Sequence, residues 1–299
     1  MKILENYNRM VPCCRIIANP VSGTMSENEK YRLLKRVALF LKAEIHGLDT
    51  RSEDELRRCA REQAEQCDVL VVGGGDGTMS LVINAVDLAS TVLAFIPFGT
   101  GNALAHALGY RGGLPVIAER VRNGIIHEYD LIDCDTRRKA FMASLGIDSV
   151  ILKRYNQHKS SGHKGLAAYL SVGLKAYFRE YRPTNGSIHV AGHVHRITRL
   201  LSVMVLKQPF VGMGLKVAPH ARWNDGFLHL LTMTSGLPGL LVGLATGFTI
   251  GNRAGCYEYG KAIRIFLDDS TTLQIDGELA WTQKQFSFKV IPAVLRMKH

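Results

Sequence analysis

The sequence lacks the cysteine pattern of a disulfide-stabilised secreted protein. It contains six cysteines among 299 residues, and no two of them form a C-x-x-C pair. The adjacent Cys13 and Cys14 have poor geometry for an ordinary disulfide, and no apolar run typical of a secretory signal precedes Asn19. These absences predict a cytoplasmic protein whose thiols stay reduced and fill the core.

Long hydrophobic runs are also missing. The uncharged stretch 230–252 is long enough to cross a bilayer, but serine, threonine and glycine leave only about 240–250 continuously apolar. Glycines recur at every fourth residue from Gly239, which places them on one helix face, and Pro238 suits the first turn of a helix. The stretch therefore favours a buried helix packed closely on a sheet over a membrane-spanning helix.

Acidic residues are scarce relative to basic ones. The chain has 37 lysines and arginines against 26 aspartates and glutamates, which gives a net charge of +11 and a pI near 9.5. A basic surface attracts nucleic acids, nucleotide phosphates or anionic lipid head groups, and charge alone does not choose among them. The length is sufficient for two domains, each with its own core.

The most informative stretch that is present is 69–85, VLVVGGGDGTMSLVINA. A short apolar strand ends in three consecutive glycines, Asp76 stands at the apex of the turn, and Thr78 precedes apolar residues with helical spacing. Backbone N–H groups in such a turn can approach phosphate oxygens closely, and the helix dipole favours negative charge. An aspartate in an anion site indicates a bound cation or a reacting hydroxyl group there, rather than a plain turn with a solvated carboxylate.

Strands and helices alternate four times over the first 110 residues, and polar glycine loops follow at least three of the strands. Such alternation predicts an α/β domain with a parallel sheet and a ligand at the carboxyl ends of its strands. The expected elements are strand 14–18, a helix to about 43, strand 44–48, a helix to about 65, strand 69–72 with its helix, strand 92–96 and helix 103–108.

Short runs of β character replace this alternation after residue 124, and they predict an antiparallel, sandwich-like second domain. Two expected helices, at roughly 165–180 and 238–250, interrupt them. We therefore expect an α/β domain at 1–135, onto which the tail at about 285–299 could pack back, and a β-rich domain at 136–299. The β runs are 125–134, 140–145, 187–194, 200–206, 227–233, 262–267, 273–275 and 286–290.

Six short motifs occur in order along the chain. They are NPVSGT at 19–24, GGGDGT at 73–78, PFGTGNALA at 97–105, LGIDS at 145–149, NDGFL at 224–228 and IDGE at 275–278. The set closely resembles the diacylglycerol kinase catalytic-domain superfamily, which includes bacterial diacylglycerol and related lipid kinases, sphingosine kinases and ceramide kinases. GGDGT alone is shared with NAD kinases, but the ordered combination is specific. The resemblance implies a fold like that of NAD kinases and diacylglycerol kinases.

The resemblance further implies an ATP- and Mg²⁺-dependent transfer of the γ-phosphoryl group to a lipid hydroxyl, with 136–299 as the lipid-substrate domain. The acceptor would be diacylglycerol, a sphingoid base or a ceramide-like lipid. Such a transfer needs positioning and charge neutralisation more than covalent chemistry, which glycine loops rich in N–H donors can supply. The residues implied to bind the nucleotide are Asn19, Pro20, Ser22, Gly23, Thr24, Thr50, Gly74, Gly75, Asp76, Gly77, Thr78, Thr100, Gly101 and Asn102.

Two aspartates are the implied catalytic residues, and the sequence leaves open which of them is the base. In bacterial members Asp276 of IDGE would be the base while Asp76 holds Mg²⁺ through water. Sphingosine kinase-like members assign the base to the aspartate of GGDGT instead. Asp276 also suits an ordinary turn before Gly277.

Further metal ligands are implied by the same resemblance. Asp225 and Glu278 match a second, structural Mg²⁺ site of Gram-positive diacylglycerol kinases, although Asp225 also suits a plain hairpin turn. Asp130 could complete the acidic network around the active Mg²⁺, and Asp133 and Asp148 are its competitors.

Partners follow from the resemblance and from charge. NALA at 102–105 resembles the sphingosine and ceramide kinase side and favours a long-chain lipid acceptor. Basic and aromatic residues interleave over 153–182, which indicates peripheral contact with an anionic membrane or a core helix with a solvated face. The second domain allows a homodimer. Nucleic acid is not expected, because positive charge explains none of the glycine loops.

Two other functions compete with a lipid kinase. An NAD kinase shares GGDGT and the two-domain plan, but would not be expected to carry NPVSG and PFGTGNALA together. A regulatory protein that binds nucleotide or lipid on an inactive kinase fold would be expected to lack Asp76 or Asp276, and both are present. The sequence therefore favours a lipid kinase, cytoplasmic and peripherally associated with membranes.

Overall fold

The computed structural model describes residues 12–23, 25–99, 101–159, 166–212, 214–234 and 236–299. Within them the helices are α1 (Glu27–Leu41), α2 (Glu53–Ala64), α3 (Asp76–Ile83), α4 (Ala103–Ala107), α5 (Leu114–Asn123), α6 (Ile147–Lys159), α7 (Leu166–Arg179) and α8 (Gly236–Gly247). The strands are β1 (Cys14–Ala18), β2 (Glu44–His46), β3 (Val69–Gly74), β4 (Val92–Pro97), β5 (Ile126–Cys134), β6 (Arg138–Ala140), β7 (Met142–Gly146), β8 (Thr184–Val190), β9 (His193–Leu200), β10 (Ser202–Leu206), β11 (Phe210–Val211), β12 (Leu215–Lys216), β13 (Leu228–Met233), β14 (Cys256–Gly260), β15 (Ala262–Ile275) and β16 (Glu278–Lys298).

The N-terminal part is a parallel sheet in the order β4-β3-β1-β2. Ile16 of β1 pairs with Ile45 on one side and with Val71 on the other. One face of the sheet packs on α1 and α5 and the other on α2 and α3. Every residue of β3 is buried, as expected for a central strand covered on both faces. The predicted α/β domain is confirmed.

The start of α1 fixes the loop that precedes it. Ser26 accepts a hydrogen bond from the Glu29 N–H at 3.3 Å, and the Glu29 carboxylate accepts one from the Ser26 N–H at 2.9 Å. These two bonds form a capping box, which satisfies N–H groups that a helix start otherwise leaves free. The loop after β1 is therefore held between a central strand and a well-capped helix.

The C-terminal part is antiparallel and continues the same sheet. Its strands follow the order β14-β13-β10-β7-β15-β16, and β16 joins them to the parallel strands. The last residues of β16 run parallel to β4, where Arg296 pairs with Val92 and Met297 with Leu93. The predicted antiparallel, sandwich-like arrangement is confirmed, and one strand connects it to the N-terminal sheet.

Helix α8 differs from the buried helix that its glycines predict. The glycine face does pack inward, since Gly239 and Gly247 are buried and a Cβ at Gly247 would lie 2.6 Å from Leu215 Cδ1. The opposite face is exposed and apolar, because Leu241 is 52% exposed and Val242 49%. None of the helices in the described part of the chain has the length and apolar content that crossing a bilayer requires.

Candidate active site

Three loops at the carboxyl ends of β1, β3 and β4 lie against one another. Asn19, after β1, donates its backbone N–H to the Gly73 carbonyl at 3.2 Å and its side-chain amide to Thr78 Oγ1 at 3.1 Å. Phe98, after β4, donates its N–H to the Gly74 carbonyl at 2.7 Å. Because neighbouring parallel strands end at the same edge of the sheet, NPVSG, GGGDGT and PFGTGN form one surface.

Glycine is required where these loops touch. Gly23 has a φ of +69°, and a Cβ there would overlap the carbonyl oxygen of Phe98. A Cβ at Gly75 would lie 3.1 Å from Gly99 Cα, which is closer than a side chain tolerates unless the loop moves. Gly101 follows in the same loop as Gly99. Close contact between the loops therefore requires glycine at Gly23 and Gly75, in addition to any need for a phosphate group to approach the backbone.

Asp76 joins the GGGDGT loop to α4. Its Oδ2 accepts the Ala103 N–H and its Oδ1 accepts the Leu104 N–H, each at 2.9 Å. Burial raises the pKa of the Asp76 carboxyl, although these two N–H groups and His106 act in the opposite direction. Each carboxylate oxygen retains acceptor capacity, so the group can also bind water or a cation.

Asp276 and Gly277 form the two-residue turn between β15 and β16. Their φ values of 48° and 86° are those of a type I′ hairpin turn. The buried Asp276 carboxylate accepts the N–H groups of Phe141 at 3.1 Å and Met142 at 2.9 Å, and the hydroxyl of Ser80 at 2.7 Å. Burial raises the pKa of Asp276 to about 6, against the effect of these hydrogen bonds.

Polar contacts connect Asp276 to Glu278. Arg138 donates to Ser80 Oγ at 3.1 Å and to Glu278 Oε2 at 2.6 Å, while Ser80 donates to Asp276. Glu278 Oε1 lies beside the GGGDGT loop, 3.5 Å from the position of a Cβ at Gly77, and receives no hydrogen bond from any described residue. Neither Ser80 nor Arg138 belongs to a sequence motif, so neither was predicted as a site residue.

Asp130 and Asp225 lie around a lysine rather than with Glu278. Lys207 Nζ is 2.9 Å from Asp130 Oδ2 and 2.6 Å from Asp225 Oδ1, whereas Glu278 pairs with Arg138. Within the described ranges, no group of three or more histidines, cysteines, aspartates or glutamates is arranged to hold a metal ion. The expected ion shared by Asp225 and Glu278, and the expected place of Asp130 beside the active Mg²⁺, do not match these contacts.

The loop after β1 depends on a lysine that no motif indicated. Lys30 of α1 is 2% exposed, and its ammonium donates to the carbonyl oxygens of Pro20 and, at 3.4 Å, of Asn19. Ser22 Oγ donates to the same Asn19 carbonyl at 3.0 Å. Burial lowers the pKa of Lys30, although Glu27 nearby acts in the opposite direction.

The remaining nucleotide-binding candidates differ in their hydrogen bonding. Thr50 donates its hydroxyl to the Gly47 carbonyl at 2.6 Å, within the loop after β2. Asn102 has a φ of 41°, and its buried Oδ1 lacks a hydrogen-bond partner among the residues that the structure describes. Thr24 and Thr100 lie outside the described residues.

Matches to two known protein domains cover most of the chain. Residues 14–134 match the diacylglycerol kinase catalytic domain, and residues 142–299 match the YegS C-terminal NAD kinase beta sandwich-like domain. A diacylglycerol kinase from Bacillus subtilis (strain 168) is 27% identical over 275 residues, which are 88% of this chain and 89% of that protein. An uncharacterized Synechocystis protein, sll0036, is 24% identical over 287 residues, which are 89% of this chain but only 66% of that protein.

Solved structures share the fold. A crystal structure of a diacylglycerol kinase from Bacillus anthracis superposes with a TM-score of 0.75 at 17% identity, covering 96% of each chain. An NAD kinase from Archaeoglobus fulgidus in complex with ATP superposes with a TM-score of 0.51 at 11% identity, covering 96% of this chain and 93% of that one. At these identities the likeness concerns architecture alone.

Proposed function

Because the chain belongs to the family that joins a diacylglycerol kinase catalytic domain to a YegS-type C-terminal domain, we propose that it is an ATP- and Mg²⁺-dependent lipid kinase. One observation carries the proposal: three polar glycine loops meet at one sheet edge, and the Asp276 turn reaches them from the C-terminal part. The hydrogen bond from Ser80 of α3 to Asp276 joins the two parts at this point.

In the proposed reaction, a lipid hydroxyl oxygen forms a bond to the γ-phosphorus of ATP. The bond between that phosphorus and the β–γ bridging oxygen breaks, so ADP leaves with the oxygen and the lipid becomes a phosphate monoester. The hydroxyl proton passes to a carboxylate. Positioning and charge neutralisation supply most of the catalysis in such transfers.

The nucleotide is proposed to lie along the three loops, with backbone N–H groups of GGGDGT toward its phosphates. The buried Asn102 Oδ1 has no hydrogen-bond partner among the described residues. A hydrogen-bond donor on a bound ligand would satisfy this acceptor. Thr50 needs its hydroxyl proton for Gly47, so only its oxygen could still accept a hydrogen bond. Thr24 and Thr100 remain predictions from the motifs.

Asp76 is the residue proposed to hold Mg²⁺. Magnesium in kinase sites usually binds one or two carboxylates, substrate phosphates and several waters, so it needs no cage of protein ligands. The Asp76 carboxylate already accepts two N–H groups and retains acceptor capacity, which fits binding through water. The bound ion would neutralise phosphate charge, and the N–H groups of α4 would keep the carboxylate oriented.

Two carboxylates compete for the proton of the lipid hydroxyl. Asp276 has a pKa suited to a base, but three hydrogen bonds already hold its buried oxygens. Glu278 keeps an oxygen beside Gly77 that receives no hydrogen bond from a described residue. We therefore favour Glu278 as the base and Asp276 as a positioning residue, acting through Ser80 and Arg138.

The acceptor is a lipid with a free hydroxyl group. The relatives named diacylglycerol kinase make diacylglycerol the first candidate. The NALA sequence at 102–105 adds sphingoid bases and ceramide-like lipids. Phosphorylation of NAD is the competing activity, because the fold of NAD kinases is similar. That the chain forms a homodimer remains a prediction.

Contact with an anionic membrane is proposed to involve α8. Gly239 and Gly247 of α8 are buried, whereas its Leu241 is 52% and its Val242 49% exposed. Phe248, directly after the helix, is 41% exposed. An outward apolar face is unfavourable in water, and insertion at a lipid interface would remove that cost. Of the basic residues that predicted such contact, Lys164 and the Lys159 side chain lie outside the described part.

Helix α7 adds charge and apolar area beside α8. The two helices touch where the Leu237 N–H donates to the Tyr177 hydroxyl at 3.2 Å. Phe178 of α7 is 68% exposed, and Lys175 and Arg179 are exposed on the same helix. Exposed cations beside an apolar face suit anionic head groups, as does the net charge of +11.

Transfer of label from γ-labelled ATP to lipids in mixed micelles with Mg²⁺ tests the proposed function. The panel contains diacylglycerol, monoacylglycerol, sphingosine, ceramide and phosphatidylglycerol, with NAD as a control acceptor. We expect a labelled lipid and no labelled NADP. Labelled NADP without labelled lipid would instead identify an NAD kinase.

A further inference from the structure

A buried lysine lies at the second candidate metal site. Lys207 follows β10, and its side chain is 0% exposed. Its ammonium donates to Asp225 Oδ1 at 2.6 Å and to the Phe227 carbonyl at 2.8 Å, and it lies 2.9 Å from Asp130 Oδ2. An ammonium group has three hydrogens, so these three acceptors use its whole capacity.

Both oxygens of the Asp130 carboxylate also have partners. Its Oδ1 accepts the Ala293 N–H at 2.9 Å, and its Oδ2 accepts the Gly226 N–H at 2.9 Å besides its contact with Lys207. These partners come from β16, from the turn before β13 and from the end of β10. One carboxylate therefore gathers three separate segments around the lysine.

The Asp225 carboxylate is satisfied in the same way. Its Oδ1 accepts the Phe227 N–H at 3.1 Å in addition to Lys207, and its Oδ2 pairs with His229 Nε2 at 2.8 Å. Burial would raise the pKa of Asp225, but the hydrogen bonds and the charge of Lys207 outweigh it, so the pKa lies below its usual range. The group is thus an ionised partner of the ammonium.

These donors do not fit a divalent ion. Magnesium requires about six oxygen ligands at roughly 2.0–2.1 Å in octahedral geometry. Here the space between the two carboxylates holds a positive nitrogen, and an ion placed there would have to expel a buried ammonium from its partners, which is costly. Glu278, the other expected ligand, is bound to Arg138 instead.

We infer that the Lys207 ammonium is a built-in cation that takes the place of the second, structural divalent ion. Its single positive charge lies between Asp130 and Asp225, and its contacts tie the turn at 224–227 to β5 and β10. The folded chain without nucleotide then needs no metal at this position. The inference does not depend on the proposed kinase activity, because it concerns stability and ion binding only.

Metal binding by the nucleotide-free wild-type protein is the first measurement. Thermal unfolding is recorded in EDTA and in millimolar Mg²⁺, Ca²⁺ or Mn²⁺, and bound Mn²⁺ is counted by electron paramagnetic resonance. We expect the same Tm in all four conditions and no tightly bound Mn²⁺. A bound ion that raises Tm by several degrees, and that Asp225→Asn abolishes, would overturn the inference.

Variants at Lys207 provide the second measurement. Lys207→Ser removes the charge and leaves room, so its Tm should fall in EDTA and recover partly when a divalent ion is added. Lys207→Met keeps the volume without the charge, so its Tm should fall without recovery. Lys289→Ser, at an exposed lysine of β16, is the control and should change neither value.

Failure of Lys207→Ser to regain Tm with any of the three ions would contradict the idea that the lysine occupies an ion's place. If that variant does not fold, the wild-type measurement alone decides between the two outcomes. Since none of these readouts uses ATP or lipid, a negative result here is separate from a failure of the proposed kinase activity.

Discussion

At the scale of single residues, burial makes the Asp276 carboxyl a much weaker acid than a solvated one. Its pKa is about 6 in the folded chain, against an ordinary value of 3.8. An acid whose folded pKa exceeds its unfolded pKa binds its proton more tightly when folded, so ionisation costs stability. The cost begins near the unfolded pKa and is complete once the pH has risen through the folded pKa.

We predict that Asp276→Asn removes this cost, because an amide resembles the protonated carboxyl in size and hydrogen bonding. Between about pH 4 and pH 7, the wild-type free energy of unfolding should fall by about 2 kcal/mol more than that of the variant. Chemical denaturation at both pH values measures the difference. Asp148, whose pKa burial also raises to about 6, contributes equally to both proteins. Equal pH dependence in the two proteins would contradict the assignment.

The role of Glu278 gives a second prediction at this scale. Glu278→Gln should lower kcat at least about 100-fold, since the amide cannot accept the proton, while ATP affinity stays near normal. Asp276→Asn should lower kcat less, because the amide oxygen can still accept the N–H groups of Phe141 and Met142. A normal kcat in Glu278→Gln with a large loss in Asp276→Asn would assign the base to Asp276.

Asp135→Asn is the matched control for both variants. Asp135 also stands in a hairpin turn and accepts hydrogen bonds from Trp281, Gln283 and the Ser287 N–H, but it has no contact with the glycine loops in the described structure. Its substitution should leave kcat near the wild-type value. If Asp135→Asn lowered kcat by a comparable factor, the losses in the other two variants would reflect a general disturbance of hairpin structure and not a role in the reaction.

Gly75 provides the third prediction. Gly75→Val should weaken ATP binding strongly, because its Cβ would lie 3.1 Å from Gly99 Cα and its two methyl groups need further room. Gly113→Val is the control, since a Cβ there would meet only Pro115 Cδ at 3.6 Å. Calorimetric titration with ATP measures both affinities. Unchanged affinity in Gly75→Val would refute the loop assignment.

At the scale of elements, the sequence predicted the N-terminal part more completely than the C-terminal part. Glycine turns and apolar strands are local signals, and they located the elements up to α4. Helix α6 was not predicted because nothing in its sequence separates it from the surrounding β runs. Strands β15 and β16 were predicted as shorter runs because polar residues fill their exposed positions.

In the candidate active site, too, the sequence predicted the residues that belong to motifs but not their partners. The motifs identified Asp76 and Asp276, but the partners of those carboxylates come from distant positions that tertiary folding alone brings near. Arg138, for example, lies 140 residues before Glu278 in the chain. Lys207 lies 77 residues after Asp130, with no motif around it. Such contacts have no local signature in a single sequence.

The exposed face of α8 gives a prediction at this scale. Leu241→Ser in α8 and Phe248→Ser directly after the helix should each weaken binding to phosphatidylglycerol vesicles by about tenfold, since each removes apolar area from the interface. The Tm should stay near that of the wild type. Leu39→Ser on α1 is the control, because Leu39 is 73% exposed yet lies on the other part of the molecule. If all three variants lost vesicle binding equally, or if none did, α8 would be excluded as the membrane-contacting element.

At the scale of the whole molecule, β16 couples the two parts of the chain. It leaves the Asp276 turn, crosses the antiparallel strands and ends beside β4, where Met297 is 0% exposed in the N-terminal core. The only two tryptophans report on different cores, since Trp223 packs on the N-terminal core and Trp281 on the C-terminal one.

We predict that Met297→Ala destabilises both parts together. Removing this side chain should cost about 2–5 kcal/mol, and single-tryptophan versions should show the same shift in denaturation midpoint at Trp223 and Trp281. Lys289→Ala, at an exposed position of the same strand, should shift neither. A shift at Trp223 alone would mean that the parts unfold independently.

The most direct test of the central claim is a phosphorus balance of the reaction. ATP, Mg²⁺ and mixed micelles of diacylglycerol or sphingosine are followed by phosphorus NMR, with wild-type protein and with Glu278→Gln. A lipid kinase should form one lipid phosphate monoester for each ATP converted to ADP, and the variant should form almost none. Conversion of ATP to ADP and free phosphate without a lipid phosphate, or no conversion of ATP with either lipid, would contradict the account.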